Sequence, residues 1–132
     1  MRVVFLSLAL LMANSSVASV DLQKKRELAE QGDPWYQTEL ALMYHNGQMV
    51  KKNYSEAARW YQLAADQGFS KAQANLGVLY AEGLGVEQDF DQAAQWFLSA
   101  AEQGNPMAQH NLGLLSAGVM VLRKPRSKPA SG

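Results

Sequence analysis

The chain has 132 residues, no cysteine, and 12 acidic against 12 basic side chains. Without cysteine it has neither a disulfide framework nor a thiolate nucleophile, so helix packing alone must hold it together. The charge is unevenly placed: from Val20 to Gly118, 12 acids face 7 Lys and Arg, a net −5, which does not suit a phosphate backbone, and no nucleic-acid partner is expected.

At the N-terminus Arg2 precedes the apolar run "VVFLSLALLM" and the small, polar "ANSSVAS". This is the order of a secretory leader, residues 1–19, with cleavage near Ser19. The run is too short for a spanning helix, which needs about 20 apolar residues. No second apolar run follows, so no integral membrane segment is expected after cleavage. The expected location is periplasmic or secreted.

From Val20 onward the text repeats. "LAEQG" at 28–32 returns as "AADQG" at 64–68 and "AAEQG" at 100–104, a period of 36. Leu40, Leu76 and Leu112 keep the same step, as do Tyr44 and Tyr80, Gly47 and Gly83, Trp60 and Trp96, and Tyr61 and Phe97. A fixed period in this range is the signature of a repeat array. The array divides into a partial unit 20–32, full units 33–68 and 69–104, and a partial unit 105–118; the basic stretch 119–132 is expected to be a solvated tail.

Each unit reads as two helices. In the first full unit Asp33 is placed to cap, with Pro34 at the first helical position, where its missing N–H costs nothing. Tyr36, Leu40, Met43 and Tyr44 then fall at helical spacing, and Gly47 ends the run. Asn53 starts the second helix with Glu56 as its capping-box partner, Ala57, Trp60, Tyr61 and Ala64 make its buried stripe, and Gly68 closes it. The next unit repeats this, with Asp89 and Gln92 as box, Ala93, Trp96, Phe97 and Ala100 as stripe, and Gly104 as stop. The third unit opens with Asn105 and Pro106. Residues 22–31 read as a lone second helix padding the front of the stack. The alternation of large rings with Ala and Gly lets backbones approach without leaving voids.

The run Ala72, Asn75, Leu76, Gly77, Tyr80, Gly83, Gly85, Val86, Asp89, Ala93, Trp96, Phe97, Ala100, Ala101 and Gly104 resembles the Sel-one-like repeat (SLR), a relative of the tetratricopeptide repeat, over about residues 22–118. The first full unit departs at Tyr36, Glu39, Ala41 and Met49; Met49 stands where the second loop glycine belongs, which leaves the loop shape open there but not the fold. The resemblance implies an all-α fold, a short right-handed α-solenoid of antiparallel helix pairs whose concave face is lined by the first helix of each pair. It also implies a protein–protein adaptor rather than an enzyme. Exported bacterial members of the family are associated with envelope assembly, polysaccharide export, signalling and host contact.

By analogy with tetratricopeptide grooves, the partner-binding positions are Trp35, Thr38, Leu42 and His45, then Lys71, Ala74, Val78 and Ala81, then Met107, His110 and Leu114. They form stepped rows, Thr38–Ala74–His110 and Leu42–Val78–Leu114, an apolar floor with a polar rim that suits a peptide or a partner helix. Asn75 and Asn111 are expected to bond neighbouring backbone instead.

Catalytic chemistry finds little support. The two histidines, His45 and His110, lie in no metal or triad spacing, and Glu87, Asp89 and Asp91 lack the twelve-residue calcium-loop pattern. No phosphate or dinucleotide motif occurs, so no cofactor, no metal and no catalytic residue is expected. After Leu115 the repeat pattern stops. Met has one codon and every Val codon begins GT, so the neighbouring reading frame across Met120–Val121 forces a glycine 36 places after Gly85. A frame-shifted fragment of a longer array is therefore the alternative reading. An envelope hydrolase is a weaker one. An uncapped last helix is expected to favour self-association through its apolar surface.

Overall fold

The computed structural model describes residue 17 and residues 19–119. The apolar run read as a leader and the basic stretch from 120 onward lie outside the described residues. Among those described there are helices and no strands. The helices are α1 (19–30), α2 (Pro34–Asn46), α3 (Tyr54–Asp66), α4 (Ser70–Glu82), α5 (Phe90–Glu102) and α6 (Pro106–Ser116). Each packs on its sequence neighbour, α2 on α3, α3 on α4, α4 on α5 and α5 on α6, and α4 also touches α6 across the stack. This is the expected α-solenoid of helix pairs. Among the described residues no helix is long and apolar enough to cross a membrane.

The starts follow local chemistry. Asp33 accepts from the N–H of Trp35 and Tyr36, Asn53 from Glu56, Asp89 from Asp91 and Gln92, and Asn105 from Ala108. Phe69, ahead of α4, makes no side-chain cap and sets its ring edge-on to Trp35, centroids 6.2 Å apart. Aromatic packing replaces a capping hydrogen bond at that one start.

The capping boxes are not closed, a correction to the sequence reading. The N–H of Asn53 donates to the carbonyl of Tyr44 at 2.9 Å, and that of Asp89 to Tyr80 at 2.9 Å. A donor already used to tie the loop to the preceding helix has nothing left for Glu56 or Gln92. Glu56 turns to Arg59, 3.0 Å away.

The loop shape left open at Met49 is decided by the backbone. Met49 takes φ 63°, against 72° at Gly85, so the two loops share one path despite the different residue. Gly85 is needed for a further reason: a Cβ there would run into the backbone of Tyr54 and Ser55 at the start of α3. Met49 stays exposed.

The core is the predicted stripe except at Trp96, which is half-buried and packs against the edge of the first cluster. Leu40, Ala57, Trp60, Tyr61, Ala64, Leu76 and Leu79 form one buried cluster; Ala74, Ala93, Phe97, Ala100 and Ala108 form a second. Gly77 shows why small residues face large ones: a Cβ there would lie 2.6 Å from the Phe97 ring. At the front, α1 carries Lys24 and Lys25 where later units carry Trp and Tyr or Phe. Lys25 pairs with Asp21 at 3.8 Å and Glu39 at 3.9 Å, so the array begins with a polar cap of the kind terminal repeats require.

Candidate functional site

The first helices α2, α4 and α6 do present a shared exposed stripe, but not quite the predicted one. A helix turns about 100° per residue, so Leu42 lies only about 20° from Trp35, whereas Thr38 and His45 lie about 60° and 80° to one side and Glu39 about 40° to the other. The stripe therefore runs 35, 39, 42 and its equivalents.

Trp35 is 52% exposed, Lys71 is exposed, and Met107 is 39% exposed, making an outer row at matched positions. Leu42, Val78 and Leu114 form a half-buried row that packs into the core on one side and reaches solvent on the other. Between these rows stand Glu39, Asn75 and Asn111, all half-buried, which the groove assignment omitted. Asn75 donates to the carbonyl of Lys71 at 2.9 Å, as expected of a half-buried amide. Glu39 faces Lys25. The four-residue step from 35 to 39 would have identified this row from sequence.

Thr38, Ala74 and Ala81 are corrections. Thr38 is 2% exposed and donates its hydroxyl to the carbonyl of Pro34 at 2.8 Å; Ala74 and Ala81 are buried in the cluster around Phe97. These positions face the second helix of their own pair. His110, at the equivalent place on α6, is exposed because no described residue covers that face.

His45 also turns inward. Its Nδ1 lies 3.2 Å from the Tyr61 hydroxyl, and its ring meets Tyr54 and Tyr61 edge-on, centroids 5.5 and 6.0 Å apart. Burial, with Lys52 nearby, holds its pKa below the usual histidine value, partly opposed by Glu82. Burial pushes the Tyr61 phenol up. The pair is a satisfied piece of the helix hairpin, with the phenol suited to donate to a neutral imidazole. Among the described residues no cluster of three or more His, Asp or Glu is arranged to hold a metal ion.

The same geometry recurs in known proteins. The Sel1 repeat profile matches residues 36–69, 70–105 and 106–126. A Sel1 repeat protein from Oxalobacter formigenes is 39% identical, with a TM-score of 0.68 over 70% of this chain and 69% of that one. The protein c5321, a protective antigen of uropathogenic Escherichia coli strains with an SLR fold, is 38% identical with a TM-score of 0.68; the match covers 72% of this chain but 21% of the antigen. Helicobacter pylori cysteine rich protein B is 28% identical, with a TM-score of 0.64 over 68% of each chain. No curated protein matches. Sel1 repeat proteins generally mediate protein–protein interaction and are generally scaffolds rather than enzymes. With three matched repeats on a stack of helix pairs, the chain belongs to the Sel1 repeat family.

Proposed function

We propose that this chain is an exported adaptor that binds a protein or peptide segment along the face made by α2, α4 and α6. The observation that carries this reading is the continuous stripe of Trp35, Lys71 and Met107 beside Leu42, Val78 and Leu114. Exposed Trp and Met beside an apolar floor supply contact area, and the neighbouring Glu39, Asn75 and Asn111 supply a polar row. A partner with two or three apolar side chains and interspersed polar groups fits this arrangement.

Site-specific photocrosslinkers at Trp35, Lys71 and Met107 test it in living cells, with Leu63 and Leu98 on the second helices as controls. Adducts from the first three and not the last two support the face. The reverse pattern moves the site. Leu42→Glu with Val78→Glu should keep the helical circular-dichroism signal and lose the adducts. Export is tested separately by the mass of the protein in a periplasmic extract; a start at Val20 is expected, and a full-length cytoplasmic product would remove that part of the reading.

A further inference from the structure

The α2–α3 and α4–α5 hairpins follow one backbone path, yet four side chains where helix, loop and helix meet differ together. The first hairpin has His45, Lys52, Tyr54 and Tyr61; the second has Ala81, Gln88, Phe90 and Phe97 at the same positions. In the second, Ala81 and Phe97 are buried with Phe90 packed against them. The Gln88 amide donates to the Ala81 carbonyl at 2.8 Å, which ties that loop to the end of α4. None of those four side chains titrates near neutral pH.

The first hairpin is built from ionisable groups instead. The Tyr61 hydroxyl lies 3.2 Å from Nδ1 of His45, and the imidazole meets Tyr54 and Tyr61 edge-on. Lys52, in the place of the Gln88 clamp, sets its ammonium over the Tyr54 ring, 4.9 Å from the centroid. Tyr61 is fully buried, and its O–H can donate to Nδ1 only while that nitrogen carries no proton. If the phenol turns to accept from an imidazolium, its own proton is buried without a partner, which is unfavourable. Burial disfavours a charged imidazole most, Lys52 from the loop adds to this, and Glu82 at the end of α4 opposes both. From α3 the titratable groups that face the ring are Tyr54 and Tyr61. The loop itself is strained, because Met49 holds a left-handed φ of 63° where the second loop has Gly85. It is closed by the Asn53 N–H on the Tyr44 carbonyl at 2.9 Å and the Gln48 N–H on Met43 at 3.0 Å.

We infer that His45, Lys52, Tyr54 and Tyr61 make the 47–53 loop a proton-operated latch: neutral His45 holds the loop shut against α2 and α3, and protonated His45 releases it while the second hairpin stays closed. The closed latch accepts a neutral ring, whereas an open loop returns the imidazole to water, where it takes a proton more readily. Acid therefore favours the open form, and relief of the Met49 backbone favours it further. The latch does not depend on a partner at the α2–α4–α6 stripe, so either reading can fail without the other.

Amide hydrogen exchange of the full chain, read by NMR at about pH 7 and about pH 5 and corrected for the intrinsic rate, tests the latch. Asn53 and Gln48 report the first loop; Asp89 and Leu84, whose N–H groups donate to Tyr80 and Leu79, report the second. Protection at Asn53 and Gln48 should fall at least about threefold more than at Asp89 and Leu84, since each pH unit within the titration changes the opening by up to about tenfold. His45→Ala, Lys52→Gln, Tyr54→Phe and Tyr61→Phe together install the set that the second hairpin already folds with, and should erase the difference. His45→Ala alone should erase it too, which keeps the test open if the fourfold variant loses its helical signal. Lys52→Met should move the change to higher pH and Glu82→Gln to lower pH. Equal losses at both loops overturn the proposal, as does a pH difference that survives His45→Ala. Loss of protection at the core amides of Leu40 and Leu76 in step with Asn53 also overturns it, because the whole chain is then unfolding.

Discussion

The side-chain amide of Gln103 donates to Oε1 of Gln73 at 2.9 Å, and Gln73 donates onward to the carbonyl of Ala65 at 3.2 Å. One period earlier, Gln67 donates to Gln37 at 2.9 Å and Gln37 to Ala29 at 3.1 Å. Each relay joins three successive helices at one end of the stack. Gln37 and Gln73 are 3% and 6% exposed, so their amides depend on these partners. On α6, Gln109 still donates to Ala101 at 3.3 Å, but it is exposed and its oxygen takes no glutamine amide among the described residues.

Gln73→Leu removes one hydrogen bond from the Ala65 carbonyl, which keeps the Gly68 N–H, and one from the Gln103 amide, which keeps the Gly68 carbonyl, and should cost about 1–2 kcal/mol. Gln109→Leu should cost well under about 1 kcal/mol, because water can replace the lost group. Urea denaturation of the two variants measures the contrast. Equal losses would mean that the relay does not bind the units together.

Gly77 and Gly113 occupy the same position in consecutive units and should respond oppositely to alanine. Gly77→Ala forces its methyl into the Phe97 ring, and overpacking of this kind costs about 1–3 kcal/mol. Gly113→Ala meets nothing among the described residues and gains up to about 1 kcal/mol of helix propensity. Thermal melts of both variants decide it; destabilisation at Gly113 would show that its face is already occupied.

Met49 holds a left-handed backbone, φ 63°, that costs a side-chain-bearing residue about 1–2 kcal/mol. Met49→Gly removes that strain but loosens the unfolded chain by about 0.4–1 kcal/mol. A net gain of about 0.5–1 kcal/mol is expected in chemical denaturation. Gly85→Met should be severe, because side-chain atoms there would enter the Tyr54 backbone.

The His45 pKa is lowered by folding, chiefly through burial. Its contribution to stability is therefore present above the unfolded histidine value of 6.5 and lost as pH falls from there through the lower folded value. His45→Gln should flatten the stability profile below pH 6.5 relative to the parent, measured by urea midpoints at several pH values. A parallel profile for parent and variant would show that His45 does not titrate differently on folding.

Much of this was readable from the chain. The 36-residue step among Gly32, Gly68 and Gly104 determined the unit length, and Asp33, Asn53, Asp89 and Asn105 determined where helices begin, because capping and turn chemistry are local. The pairing of Trp and Phe with Ala and Gly determined that the helices stack closely. Tertiary structure decided the rest. It placed Thr38, Ala74 and His45 against the second helices, since a rotation of only about 60–80° separates a groove position from a buried one. It spent the Asn53 and Asp89 N–H groups on Tyr44 and Tyr80 rather than on capping boxes. It also gave Gly77 a ring to touch and, among the described residues, left nothing over Gly113, a difference invisible in two identical letters because it depends on what lies opposite.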